Sequence, residues 1–171
     1  MKIANHVFTR AFRGCLLASV ALLMVPVAAS TVTPEEFRQV VAFDVTVASL
    51  AEAAENDPEA LLNDSRMFIV DGVVGSVTVI DDNPDSYLVQ LELVDGRWYG
   101  TQRIDVFRVY VLAEGPEYEA FFPARPAADA GGSVIQRNER VLIAARIADI
   151  FEDQRGGRYA VLAAQELRVI R

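Results

Sequence analysis

The feature that most limits the fold of this chain is a long β-branched run from Met67 to Ile80, MFIVDGVVGSVTVI. β-branched side chains favour strands, but Gly72 and Gly75 interrupt the run. Glycine inside a strand marks a bulge or a tight bend. The run therefore predicts one strongly bent or bulged strand rather than two straight ones, and with it a curved sheet.

Strand patterns continue through the rest of the chain. Apolar and polar residues alternate from Tyr87 to Leu93, and further strands are predicted from Arg140 to Phe151 and from Arg158 to Ile170. Gly156 and Gly157 lie between the last two strands and predict a hairpin there.

The middle of the chain carries less regular signals. Asp95-Gly96 predicts a hairpin turn that leads into Trp98. The apolar residues change parity after Val106, so a bulge is expected near that residue. The segment from Pro123 to Ser133 is predicted as the one extended loop.

A helix is predicted ahead of the strands. Thr33 fits the N-cap, Pro34 the first helical position, and Glu36 completes a capping box. Apolar residues then recur at three- and four-residue spacing, which predicts one helix packed on the sheet. That stripe consists of Val40, Phe43, Val47, Leu50 and Ala54. Asp57 is expected to cap a short second helical turn that runs through Leu62.

The first 29 residues have the pattern of a secretory signal peptide. A basic N-terminal region precedes an apolar run from Cys15 to Val25, which is too short to span a bilayer comfortably. Small residues precede the expected cleavage after Ala29, and cleavage at Ser30 is the close alternative. The sequence therefore predicts a signal peptide at 1–29, with a retained membrane anchor as the alternative.

Cleavage would leave a chain with restricted chemistry, because the only His, Cys and Lys are His6, Cys15 and Lys2. The remaining 142 residues carry 13 Arg against 24 acidic residues, a net charge of −11. Such a surface repels phosphates, so no nucleic-acid partner is expected, and no membrane span remains after cleavage. No disulfide can form, zinc lacks its usual ligands, and a Ser or Thr nucleophile lacks a base. Catalysis is therefore not expected.

One helix followed by five or six strands is typical of a small, highly curved barrel. The segment from Val70 to Val77 resembles the glycine-containing first strand of the oligonucleotide/oligosaccharide-binding (OB) fold, and the late pair, Val141 to Ile147 and Tyr159 to Leu167, resembles its last strands. The resemblance implies a mainly β, α+β domain: a helical segment at 30–65 and a barrel core of five to six antiparallel strands at 66–171. It also implies ligand binding on the face of the second and third strands. No clear helix separates the third and fourth strands, and a two-sheet β-sandwich is the alternative.

A cluster of aromatic and arginine residues is the main candidate binding site. Such side chains stack on sugar rings, peptides or bases. The candidate ligand-binding residues are Arg97, Trp98, Tyr99, Arg103, Arg108 and Tyr110. The acidic surround favours a neutral glycan or a protein as the ligand. A packing role for Trp98, the only Trp, is the alternative.

The turn after the long run contains a candidate metal site. Asp81, Asn83 and Asp85 have the spacing of the first three calcium ligands of an EF-hand loop, and Glu92 falls at the twelfth position. Ser86 stands where that loop has glycine, and both flanks are predicted strands. A solvated acidic turn is the alternative to a calcium site.

These observations predict an exported, periplasmic or secreted, disulfide-free module of the cell envelope that binds or assembles without catalysis and without a cofactor. Its expected partner is an envelope protein or a neutral glycan. A carboxylate-based glycan hydrolase and a calcium-stabilised structural protein are the alternatives. The candidate carboxylates for hydrolysis are Glu92, Asp95, Asp105, Glu117 and Glu119. The sequence leaves the oligomeric state open.

Overall fold

The computed structural model of the protein describes residues 32–100, 103–123 and 134–170. The predicted signal peptide at 1–29 and residues 124–133 of the predicted loop lie outside the described residues. The helices are α1 (Pro34–Val40), α2 (Val47–Asn56) and α3 (Pro58–Leu62), with a 3-10 turn at Pro116–Tyr118. The strands are β1 (Val41–Ala42), β2 (Met67–Asp81), β3 (Leu88–Tyr99), β4 (Arg103–Glu114), β5 (Arg140–Glu152) and β6 (Arg158–Ile170).

β2 is one continuous, bent strand, as the glycine-interrupted run predicts. Its residues 68–73 pair antiparallel with β5, and its residues 73–81 pair antiparallel with β3. The register with β3 shifts between Val74 and Ser76, at Gly75. Such a shift is a β-bulge, which bends and twists the strand. Because of this bend, β2 pairs with β5 in its first half and with β3 in its second half.

Five strands close into a barrel in the order β2-β3-β4-β6-β5, and β5 returns to β2. All neighbours are antiparallel except β4 and β6, which pair in parallel over residues 110–112 and 161–163. This closed ring confirms the predicted OB-like α+β fold and excludes the two-sheet sandwich. Within the ring, this parallel pair departs from the predicted antiparallel arrangement. β1 extends the sheet by a two-residue parallel pairing with the start of β2.

The N-terminal capping box is confirmed, but the prediction of one long helix is wrong. Thr33 Oγ1 accepts from the backbone N–H of Glu36, whose carboxylate accepts from the N–H of Thr33. α1 then ends at Val40, and a second capping box starts α2 at Thr46, with Ser49 as its other member. The break arises because Val41 adopts the extended conformation and pairs with β2. The expected second cap at Asp57 is confirmed as the start of α3.

α2 is the helix that packs on the barrel. Its Val47, Leu50 and Ala54 are buried, whereas Val40 and Phe43 of the predicted stripe are exposed. A Cβ atom added at Gly72 of β2 would lie 3.0 Å from Val47 Cγ2, closer than ordinary van der Waals contact. Gly72 therefore allows the helix to approach the strand closely.

The predicted hairpin turn at Asp95-Gly96 and the predicted bulge near Val106 are both wrong. Asp95 pairs with Phe107, Gly96 pairs with Val106, and the β3–β4 register continues unshifted to Tyr99 and Arg103. Twelve consecutive cross-strand pairs fix these residues in strands, which overrides the local turn preference of Asp-Gly. Residues 95–99 and 103–107 thus form a two-stranded ribbon, here called the arm.

Buried aromatic residues hold the segment after β4 against the barrel. Tyr87 is 0% exposed, and its hydroxyl donates to the backbone carbonyl of Phe122. The N–H of Gly115 donates to the carbonyl of Tyr87 at 2.9 Å, and Tyr118 and Phe122 are also buried. Tyr87 therefore fixes this segment at two points.

Candidate ligand-binding surface

The six residues predicted to bind a ligand do not form one surface. Directly paired residues of β3 and β4 lie on the same face, and successive residues alternate. Because Val109 and Val111 are buried, Arg108 and Tyr110 lie on the outer face of the barrel. The outer face also carries Trp98, whereas the opposite face carries Arg97, Tyr99 and Arg103.

The three residues on the inner face contact other residues of the arm and one residue of α2. Arg97 lies 5.2 Å from the centre of the Phe107 ring and pairs with Glu52 of α2 at 3.3 Å. Arg103 lies 5.5 Å from the centre of the Tyr99 ring. Its Nε donates to Asp105 Oδ1 at 2.9 Å, and this hydrogen bond raises the pKa of Arg103. These contacts fix the inner face of the arm against α2.

A cluster of three aromatic rings lies on the outer face, at the junction of β4, β5 and β6. The Tyr110 ring meets Tyr159 edge-on at 5.7 Å and Phe151 edge-on at 6.2 Å, while Phe151 and Tyr159 stack at 6.3 Å between ring centres. Phe151 is 50% exposed, and both tyrosines are half-buried. Of these rings, the sequence-based prediction included Tyr110 alone.

The aromatic cluster borders an open groove of 380 Å³. Its lining residues are Gln90, Tyr110, Leu112, Asp149, Phe151 and Val161. Phe151 and Tyr159 are a direct cross-strand pair of the last hairpin. An aromatic pair flanking a turn was the available sequence signal. Its convergence with Tyr110 depends on the parallel β4–β6 pairing, which no local pattern reveals.

Two arginines next to Tyr159 of the aromatic cluster are paired with carboxylates. Arg108 Nε lies 3.3 Å from Glu92 Oε1, and Arg158 Nε lies 3.3 Å from Glu152 Oε2. Burial, followed by the charge of Asp153, raises the pKa of the Tyr159 hydroxyl. That hydroxyl is therefore neutral at pH 7. The groove itself is lined by two rings, three neutral side chains and the carboxylate of Asp149.

The predicted calcium turn is an exposed loop whose oxygens accept hydrogen bonds within the loop. Asp81 accepts from the N–H of Asn83 at 3.0 Å and from Ser86 Oγ at 2.7 Å. Asn83 Oδ1 accepts from the N–H of Asp85 at 3.0 Å. The hydrogen bond from Asn83, followed by that from Ser86, lowers the pKa of Asp81. Glu92 lies on β3 and binds Arg108 instead of folding back over the turn.

The described residues contain neither a metal-binding cluster nor a membrane-spanning helix. Within residues 32–100, 103–123 and 134–170, no group of three or more His, Cys, Asp or Glu side chains is placed to hold a metal ion. The calcium site therefore stays a prediction. In the same part of the chain, no helix combines the length and the apolar character needed to cross a membrane.

No protein-family model and no curated protein matches the chain. Among solved structures, it is similar to the protein PriB from Ralstonia solanacearum at 11% identity, with 61% of this chain and 97% of that chain covered and a TM-score of 0.38. For the small single-stranded DNA-binding protein from Streptomyces coelicolor, the identity is 15%, the coverage 61% and 93%, and the TM-score 0.39. For the mitochondrial single-stranded DNA-binding protein Rim1 from S. cerevisiae, the identity is 12% and the TM-score 0.38, with 61% of this chain and 94% of that chain covered. At these identities the likeness concerns the fold alone.

The names of these neighbours differ from the expectations about function, partner and location. The sequence predicted an exported, periplasmic or secreted envelope module that binds a protein or a neutral glycan and no nucleic acid. Two of the three neighbours are single-stranded DNA-binding proteins by name, one of them mitochondrial, and neither is named as an enzyme. These names contradict the expected envelope function, the exclusion of nucleic acid and the exported location, and those expectations are not retained. The net charge, on which the exclusion of nucleic acid depends, does not show where rings gather on a barrel.

Proposed function

We propose that this protein is a non-catalytic OB-fold module that binds single-stranded nucleic acid, with bases stacked on the aromatic cluster of Tyr110, Phe151 and Tyr159. The observation that carries the proposal is the position of these rings beside an open groove on the outer face of β3 and β4. Proteins with an OB-fold bind oligonucleotides on the face of their second and third strands, which correspond here to β3 and β4.

Stacking suits this groove better than hydrogen-bond recognition. Phe151 offers an exposed ring face without a polar group, and Tyr110 meets it edge-on. Every base has a π-face, so an aromatic surface binds single strands with little dependence on sequence. Each stacked base contributes about 1–3 kcal/mol.

The electrostatic contribution is expected to be small. The chain carries a net charge of −8, and Arg108 and Arg158 are each paired with a carboxylate. Two phosphate contacts to a single strand give a logarithmic salt slope of about −1.4. We therefore expect a slope no steeper than that value, in contrast to proteins that bind mainly by neutralising phosphates.

The test is fluorescence anisotropy of the full chain with a labelled oligothymidine of about 16 nucleotides at about 20 mM salt. Phe151→Ala and Tyr110→Ala are each expected to weaken binding about five- to 150-fold, the equivalent of one stacked base. Duplex DNA should compete poorly, because its bases are already stacked.

The matched control is Phe43→Ala, which removes an exposed ring from the N-terminal segment, outside the groove. This variant should bind like the unchanged protein. The proposal fails if the unchanged protein does not bind the oligonucleotide at low salt. It also fails if the groove variants bind as tightly as the control.

A further inference from the structure

No other strand supports the arm, although α2 contacts its inner face. β2 pairs with β3 only as far as Val94, and β6 pairs with β4 only from Tyr110 onward. Within the described residues, the arm strands therefore pair only with each other. A two-stranded ribbon alone is marginally stable in water, and its unpaired edges are templates for another strand.

The outer face of the arm is apolar and exposed. Trp98 is 66% exposed, Ile104 43% and Val106 51%. Trp98 lies directly opposite Ile104, and Val106 lies opposite Gly96, so the three side chains share one face. An apolar face bordered by an unpaired strand edge indicates an interaction surface.

We propose that the partner of this surface is a second copy of the chain, paired antiparallel along the free edge of β4 with the two-fold axis at Ile104. The strand is complementary to itself in this register. Ile104 lies opposite Ile104 of the second copy, and Arg103 lies opposite Asp105 of the second copy in both directions.

Both faces of the resulting four-stranded ribbon are complementary. On the outer face, one row runs Trp98, Ile104, then Ile104 and Trp98 of the second copy. On the inner face, each Arg103 lies beside Tyr99 and Asp105 of its own chain, and Asp105 of the second copy adds a second carboxylate across the axis. Apolar side chains thus meet apolar ones, and opposite charges meet on the other face.

The free edge of β3 fits a second copy less well. A two-fold axis at Gly96 would place Asp95 opposite Arg97, but it would set Gly96 against Gly96 and Trp98 against Val94. The β4 edge is therefore the one that we assign.

The dimer is independent of the proposed nucleic-acid site. Ile104 and Tyr110 are six residues apart on one strand, which corresponds to about 20 Å. Substitutions at the two-fold axis thus leave the aromatic cluster intact, and each proposal can fail without the other. The paired segment is short, so a weak dimer that forms at micromolar or higher concentration is expected.

Sedimentation equilibrium of the full chain at low salt tests the dimer through a charge exchange. Asp105→Arg sets Arg against Arg across the axis, and Arg103→Asp sets Asp against Asp. Each variant alone is expected to weaken dimerisation about tenfold or more. An equimolar mixture of the two variants restores opposite charges at both positions, so a heterodimer should form.

Two controls separate this register from a folding defect. Both variants should melt like the unchanged protein, because neither side chain belongs to the core. Trp98→Ala should also weaken the dimer, because it removes an apolar side chain from the outer face but leaves the charges of Arg103 and Asp105 in place. A monomer at all concentrations overturns the proposal, as do single variants that dimerise normally or a mixture that fails to form the heterodimer.

Discussion

Replacing Tyr87 by Phe tests how the segment after β4 is held. The substitution keeps the buried ring and removes only the hydroxyl that donates to the Phe122 carbonyl. Since Phe122 is itself 3% exposed, water cannot readily replace the lost donor. A buried carbonyl left without its partner costs about 1–3 kcal/mol of unfolding free energy.

Urea unfolding followed by far-UV circular dichroism measures this loss. The midpoint should fall while the slope stays constant, because the surface exposed on unfolding is unchanged. In a thermal scan, each kcal/mol corresponds to about 4 °C for a domain of this size. Tyr110→Phe is the control, since the Tyr110 hydroxyl forms no hydrogen bond with another described residue. A loss below about 0.5 kcal/mol for Tyr87→Phe would refute the reasoning, because it would mean that water satisfies the carbonyl.

Two further predictions concern the N-terminal half. Gly72→Ala should cost about 1–3 kcal/mol in urea unfolding, because the new methyl would lie 3.0 Å from Val47 Cγ2, and an unchanged midpoint would show that α2 can shift at no cost. The hydrogen bond from Arg66 lowers the pKa of Asp64 below its ordinary 3.8, so this carboxylate stabilises the fold above that pH and loses its effect as the pH falls through the lowered value. Asp64→Asn should therefore reduce stability at pH 7, with the difference from the unchanged protein disappearing in acid. A difference that persists at low pH would contradict this assignment.

The parts of the fold that depend on neighbouring residues could be predicted from the sequence. The bend of β2 follows from Gly75 inside a β-branched run, and the start of α1 follows from the capping box at Thr33. The last two strands were also predicted nearly to their ends. In each case the determining residues lie within a few positions of one another, so a local pattern contains the information.

Features that depend on distant pairing could not be predicted in this way. Asp95-Gly96 has the composition of a turn, but its cross-strand neighbours hold it extended. Tyr110 meets Phe151 and Tyr159 because β4 pairs with β6 in the sheet, although β5 lies between these two strands in the sequence. The predicted binding set was split because residues close in sequence alternate between the two faces of β3 and β4. Identifying the groove therefore required the strand order.

The position of β2 between β3 and β5 sets the order in which the protein can form during synthesis. β3 follows β2 closely in the chain, but β5 supplies its partner for residues 68–73 only from residues 140–145. Until the ribosome has released that part of the chain, residues 69–72 of β2 have no partner strand, and their apolar side chains stay open to other nascent chains. Contacts that span so many residues also slow folding, because the loop between them must close first. The single strand that makes a closed barrel possible is thus also the one that stays exposed longest.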